Sequence, residues 1–196
     1  MKILIDNGHG WNTPGKRSPD GSLREYAWAR EVSCMICDLL QAEGYDAKLL
    51  VPEQEDISLA ERCRRANQYD KRDTILVSIH INASGDGSRW MKARGWSIFT
   101  TKGITKADEL AECIWFRAKR EFGWPLTVRS YSSAKMGHDY EENFYILLHS
   151  YCPAVLIENF FMDNNDDCAY LKTDKAKATC AEVAVAGIKD YLSCTG

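Results

Sequence analysis

Apolar and polar positions follow two different periods along this chain. Short apolar runs at residues 2–5, 47–51, 74–79, 96–100, 144–148 and 154–157 read as buried strands. Between them lie longer stretches whose apolar residues recur three and four apart. Residues 24–43 place Trp28, Val32, Met35 or Ile36, and Leu39 at helical spacing, and Gly44 supplies a left-handed stop. Residues 57–69 form a second helical pattern with Asp56 or Ser58 available as a cap, 106–121 a third that ends before Gly123 and Pro125, and 176–192 a last one. Strands alternating with helices predict an α/β fold: a single domain with a twisted, mostly parallel sheet of about six strands flanked by helices. Two long irregular stretches remain, 10–23 and 126–143, and loops of that length inside a domain are commonly functional.

Composition narrows the function by exclusion. With 196 residues the chain suits one domain, 1–196, and at that length a core closes without disulfides or a structural metal, so a metal here would serve chemistry. Lys plus Arg is 25 against 28 Asp plus Glu, a net charge of −3 with no basic run, which argues against nucleic acid as a partner. Charges interrupt every apolar stretch well before the ~18 residues of a membrane span, so no integral membrane segment is expected. Most of the eight cysteines fall within helical or strand patterns, and Cys34 and Cys37 share a helix with no second such pair, so they read as reduced packing residues. Met1 runs straight into a strand pattern, leaving no room for a signal peptide. Either the chain is made without an export signal or it is a domain that lacks its native one.

Candidate chemistry gathers where the strands end. In an open parallel sheet ligands bind beyond the carboxyl ends of the strands. The first strand runs into Asp6-Asn7-Gly8-His9-Gly10, the third into His80-Ile81-Asn82, and the last into Glu158-Asn159. Glycines on both sides of His9 let the backbone turn and direct its imidazole across the sheet edge. Glu25 opens the first long helix and can face the same point, with Glu31 and Asp20 as alternatives for that carboxylate. Two imidazoles and one carboxylate are a common ligand set for catalytic zinc, with a fourth position left for water. Glu158 comes after Val155-Leu156-Ile157, where an unpaired carboxylate is costly, so it is either catalytic or half of a buried ion pair. Asp6 reads as a supporting or turn-forming residue.

These segments resemble the zinc-dependent N-acetylmuramoyl-L-alanine amidases that cut peptidoglycan. The resemblance rests, in order, on Asp6 to Gly10, on Glu25, on Ser78-Ile79-His80-Ile81-Asn82-Ala83, and on Pro153-Ala154-Val155-Leu156-Ile157-Glu158 followed by Phe161-Met162-Asp163-Asn164. It covers nearly the whole chain, with Arg62, Ala66-Asn67 and the closing helix also similar. Departures are Asn7 in place of proline, Trp11 in place of a second glycine, and Asn159 where a glycine is usual; none removes a ligand. The resemblance implies that His9, Glu25 and His80 hold Zn²⁺ and that Glu158 is the catalytic carboxylate. It further implies hydrolysis of the amide joining the lactyl group of N-acetylmuramic acid to L-alanine, and peptidoglycan or muropeptides as partner.

Asn82, next to the third-strand histidine, is a candidate substrate contact. So are Arg129 and His138 in the second long loop, where Tyr131, Lys135 and Tyr140 complete a mixture suited to a peptide carboxylate or a sugar. The expected place of action is the cell wall, reached after lysis-type release or as part of an exported enzyme. Two rivals stand beside this reading: a zinc amidase acting on soluble muropeptides in recycling, and a catalytically silent wall-binding module. The second should lack a ligand or the glutamate, and all four are present.

Overall fold

A computed structural model describes residues 1–131 and 137–195. Strand β1 (Lys2–Asn7) leads through the first long loop into helix α1 (Glu25–Ala42), followed by β2 (Asp46–Leu49), α2 (Leu59–Ala66) and β3 (Thr74–Asn82). Then come β4 (Ser97–Thr100), α3 (Lys106–Glu121), β5 (Tyr140–Glu141), α4 (Tyr145–His149), β6 (Ala154–Phe161), α5 (Asn165–Leu171) and α6 (Asp174–Thr195). The six strands form one sheet in the order β2-β1-β3-β6-β4-β5. Pairing is parallel except between β4 and β6, so β4 and β5 run against the other four. Among the described residues no helix is long and apolar enough to cross a membrane.

The period of two along each central strand builds both faces. Ile3 and Ile5, Ile75, Val77 and Ile79, and Val155 and Ile157 point to a core shared with α1, α3 and α6, where Trp28, Val32, Ile36, Leu110, Ile114 and Ile188 are buried. Leu4, Leu76 and Leu156 point the other way, into a smaller core closed by Cys63 and Ala66 of α2 and by Ile146 and Leu147 of α4. Local chemistry fixes the helix ends. Ser58 accepts the Glu61 N–H at the start of α2, Thr105 and Asp108 form a reciprocal capping box on α3, and Gly44 takes φ +86 just after α1.

Two expectations are corrected. Residues 144–148 are not a strand: Tyr145–His149 is a helix, and the strand count is completed instead by the two-residue β5, Tyr140–Glu141, inside the stretch expected to be loop. A short apolar run has no period to separate the two states. Adjacent Ile146 and Leu147 are buried while flanking Tyr145 and Leu148 are exposed, a helical pattern, and Tyr145 stacks on His149 one turn later at 3.9 Å. Helix α5 is an addition; Asn164 caps it by accepting the N–H groups of Asp166 and Asp167.

Candidate metal centre

The alternation that places Leu4, Leu76 and Leu156 in the smaller core also sets the residues next in line on the same face. Two residues on stand Asp6, Ser78 and Glu158, and two further along β3 stands His80. The register aligns Asp6 with Ser78 and His80 with Glu158 on neighbouring strands. An apolar floor thus gives way to polar groups at the carboxyl edge of the sheet.

His9 leaves β1 with φ +63, a left-handed conformation uncommon for a side chain of this kind. Its glycine neighbours are required by space. A Cβ on Gly8 would lie 2.4 Å from the His80 ring, and one on Gly10 would lie 2.0 Å from the backbone nitrogen of Asp56. Arg62, from α2, holds the turn from beneath. Its guanidinium donates to the Asn7 carbonyl at 2.7 Å, the His9 carbonyl at 3.3 Å and the Asp6 carboxylate at 2.6 Å, and Ser78 donates to the other Asp6 oxygen at 2.5 Å. Asp6 is therefore committed to support.

Glu25 begins α1 with its side chain 2% exposed. Its Oε1 lies 3.0 Å from His80 Nδ1 and 3.4 Å from His9 Nε2, and accepts the Ile81 N–H at 3.1 Å, while Oε2 is buried without a partner. The two imidazoles meet edge-on with centroids 5.1 Å apart. One ligand atom from each of His9, Glu25 and His80 falls within 4.8 Å of the others, and these three are the one such group among the described residues. Two imidazoles around a buried carboxylate with an orphaned oxygen fit a catalytic divalent metal of the zinc type. Burial alone would raise the Glu25 carboxyl, yet the hydrogen bonds from His80 and His9 outweigh it and hold the group well below the usual carboxylate range. For His80, burial favours the neutral ring, and the bond to Glu25 wins, raising its pKa above 6.5.

Glu158 stands beside this cluster with a buried, unpartnered Oε2. Burial pushes its carboxyl up to about 8, against the pull of His80 and, less strongly, Lys16, with Glu25 adding to the rise. His9, His80 and Glu158 line a cavity of about 400 Å³ together with Lys16, Asp56, Ile57, Ser58, Leu59 and Tyr145.

The other predicted positions divide. Asn82 ends β3 two residues past His80, partly exposed, with its carbonyl accepting the Met162 N–H. Arg129 lies over the rings of Tyr140 and Phe161, at 5.2 and 5.3 Å, and does not line the cavity. His138 is not brought to the site: it stacks on Trp115 of α3 at 3.7 Å and pairs with Glu112 at 3.0 Å, so an aromatic shelf on the helical face takes it. Lys135 lies outside the described residues. The alternatives to Glu25 are occupied elsewhere, Asp20 by the hydroxyls of Ser18 and Ser22 and Glu31 by Lys177. Sequence reasoning missed Lys16, which lines the cavity; it sits in an irregular loop where no period marks it.

Comparison with known proteins agrees with this geometry. The sequence profile of the family described as N-acetylmuramoyl-L-alanine amidase matches residues 3–190. The endolysin of Bacillus phage SPP1 is 24% identical over 193 residues, covering 97% of this chain and 66% of that protein. N-acetylmuramoyl-L-alanine amidase AmiC of Neisseria meningitidis is 26% identical over 225 residues, covering 97% of this chain and 52% of its own length. The chain thus spans between about half and two thirds of these curated relatives. Among solved structures, an N-acetylmuramoyl-L-alanine amidase from Clostridium difficile 630 superposes with a TM-score of 0.80 at 26% identity, covering 100% of this chain and 98% of that one.

Proposed function

The chain belongs to the N-acetylmuramoyl-L-alanine amidase family, and we propose that it hydrolyses the amide between the lactyl group of N-acetylmuramic acid and the L-alanine of the peptidoglycan stem peptide. His9, Glu25 and His80 would hold a zinc ion. When bound there, zinc supplies a Lewis acid that polarises the scissile carbonyl and makes water acidic enough to attack at neutral pH. The observation that carries the reading is that two members of that ligand set, His9 and His80, line one cavity with the unpartnered carboxylate of Glu158.

The protein's own residues then have separable tasks. Glu158 takes a proton from the attacking water and returns it to the leaving nitrogen of L-alanine. The buried oxygen of Glu158 has no other hydrogen-bond partner, so the carboxylate is free to accept that proton and to hand it on. Leu156 beneath the site keeps the Glu158 carboxylate on an apolar floor. Arg62 and Asp6 act at one remove, fixing the turn that presents His9. No serine or cysteine nucleophile is needed.

The test is mass spectrometry of material released from purified sacculi, with and without a zinc chelator. Stem peptides with a free L-alanine amine, released only without chelator, are expected. Cleavage of soluble muropeptides without cleavage of sacculi would shift the substrate to free fragments. Zinc-loaded protein that cuts neither would overturn the reading.

A further inference from the structure

Beside the catalytic cavity lies a second depression of about 440 Å³, walled by Pro14, Gly15 and Arg17 on one side and Gly85, Gly87 and Ser88 on the other. Lys16 lines both, so it forms the ridge between them. We infer that Lys16 is a specificity-determining residue that binds a carboxylate on the peptide side of the scissile amide, with the peptide running into this second depression. The inference rests on the amidase reading above.

Three observations carry it. First, the Lys16 backbone is held at φ +46, a strained conformation outside glycine, and its carbonyl accepts the N–H of Glu25 at 3.0 Å. Strain of this kind persists where surrounding structure imposes it, commonly at binding sites. The bond ties the root of the lysine to the residue that anchors the metal cluster, and Lys16 lines the cavity that holds His9, His80 and Glu158. Second, among the described residues neither the Lys16 ammonium nor the Arg17 guanidinium has an ion-pair or hydrogen-bond partner. The one acidic residue of the depression, Asp86, is turned onto the N–H and hydroxyl of Ser88 at 2.9 and 2.6 Å. The depression therefore presents net positive charge. Third, the catalytic cavity itself carries an apolar stretch, with Ile57, Leu59, Phe144, Tyr145 and Ile146 in its lining beside Asp56 and Ser58.

The scissile bond joins two chemically unlike halves. The sugar half is uncharged, whereas the peptide half carries carboxylates, the first on the residue after L-alanine. With the scissile amide between the His9–Glu25–His80 cluster and Glu158, the charged half is drawn to the cationic side formed by Lys16 and Arg17, and the uncharged sugar half is left to the catalytic cavity.

Two N-acetylmuramoyl tripeptides that differ only in whether the second residue's α-carboxyl is free or amidated test this directly. The zinc-loaded protein should favour the free acid by about five- to tenfold in kcat/KM, the factor for one hydrogen bond of ordinary net strength at an exposed lysine, with the difference in KM. In Lys16→Met that ratio should fall to near one, and Lys16→Arg should restore it. A ratio that survives Lys16→Met overturns the proposal. So does an equal fall of kcat on both substrates, which would move the lysine's action to the reacting centre. If the zinc-loaded wild-type protein cuts neither tripeptide, the amidase reading itself fails and this inference falls with it.

Discussion

Replacing Arg62 by methionine tests how the site is held together. The Arg62 side chain is 2% exposed and faces an equally buried Asp6 carboxylate at 2.6 Å. It donates to five acceptors: Asp6, the carbonyls of Asn7, His9 and Ile57, and Asp56. Methionine fills much of the volume and makes none of these bonds, so Asp6 keeps its charge with only the Ser78 hydroxyl beside it. Removing one partner from a buried ion pair costs about 3–5 kcal/mol, mostly the penalty for the stranded charge. For a chain of this length each kcal/mol lowers Tm by about 2–4 °C, so the expected fall is roughly 6–20 °C. Urea titration of the metal-free protein reads the free energy directly, provided the slope m is unchanged. Asp6→Asn in the same chain removes the stranded charge. The double variant should therefore be more stable than the sum of the two single losses predicts, by about 1 kcal/mol or more on the scale typical of contacting residues. Zinc affinity should fall as well, because the carbonyl of His9 loses its tether. A loss below about 1 kcal/mol in Arg62→Met, or additive single losses, would refute the view that this pair organises the turn.

Further expectations concern the cluster. Glu158→Gln should retain bound zinc by elemental analysis while turnover drops by about 10²-fold or more; surviving activity would remove Glu158 from the mechanism. His80→Ala should purify without stoichiometric zinc, and unchanged metal content would take His80 out of the ligand set. Gly8→Ala places a methyl group 2.4 Å from the His80 ring, so zinc affinity should weaken more than folding stability does, measured by competitive chelation beside thermal melting. In metal-free protein Glu25 is held below its ordinary 4.5, so its contribution is present above about pH 4.5 and lost as pH falls further. His80 and Glu158 are raised above 6.5 and 4.5, so their contributions fade as pH rises, Glu158's between pH 4.5 and about 8 and His80's from pH 6.5 upward. Stability of chelated protein should accordingly peak near pH 5 and decline toward pH 8, and a steady rise to pH 8 in urea titrations would contradict these assignments. Zinc binding near neutrality should release a proton, seen as a buffer-dependent calorimetric heat.

The features legible in the sequence are the periodic ones. Alternation along β1, β3 and β6 fixes the faces of the strands. Once those strands are neighbours, Leu4-Asp6, Leu76-Ser78-His80 and Leu156-Glu158 must share one side. The glycines beside His9 announce a turn, and the structure adds the reason, since the His80 ring and the Asp56 backbone occupy the space a Cβ would need. Strand direction is not written in composition, so the reversal of β4 and β5 against the parallel sheet could not be read. Nor could the state of residues 144–148, where five apolar or aromatic residues in sequence satisfy either period.

The site obeys the same division. His9 and His80 lie on or just past strands and inherit their position from the sheet, whereas Glu25 had Glu31 and Asp20 as rivals because all three belong to one loop-and-helix segment. Only the tertiary structure separates them: Glu31 faces outward to Lys177 and Asp20 folds onto its own loop, while Glu25 is carried under the sheet edge. Arg62 shows the converse. The sequence marks it only as part of the family resemblance, one of three arginines within four residues, and gives it no task; the structure buries it against Asp6 on the strand beneath. His138 misled in the opposite sense, as a histidine in a long polar loop whose ring is claimed by Trp115 and Glu112. Residues that take their place from a strand period were legible. Those whose role depends on a partner distant in sequence, Arg62 with Asp6 or Lys16 with the two depressions it divides, became visible only when the sheet brought the partners together.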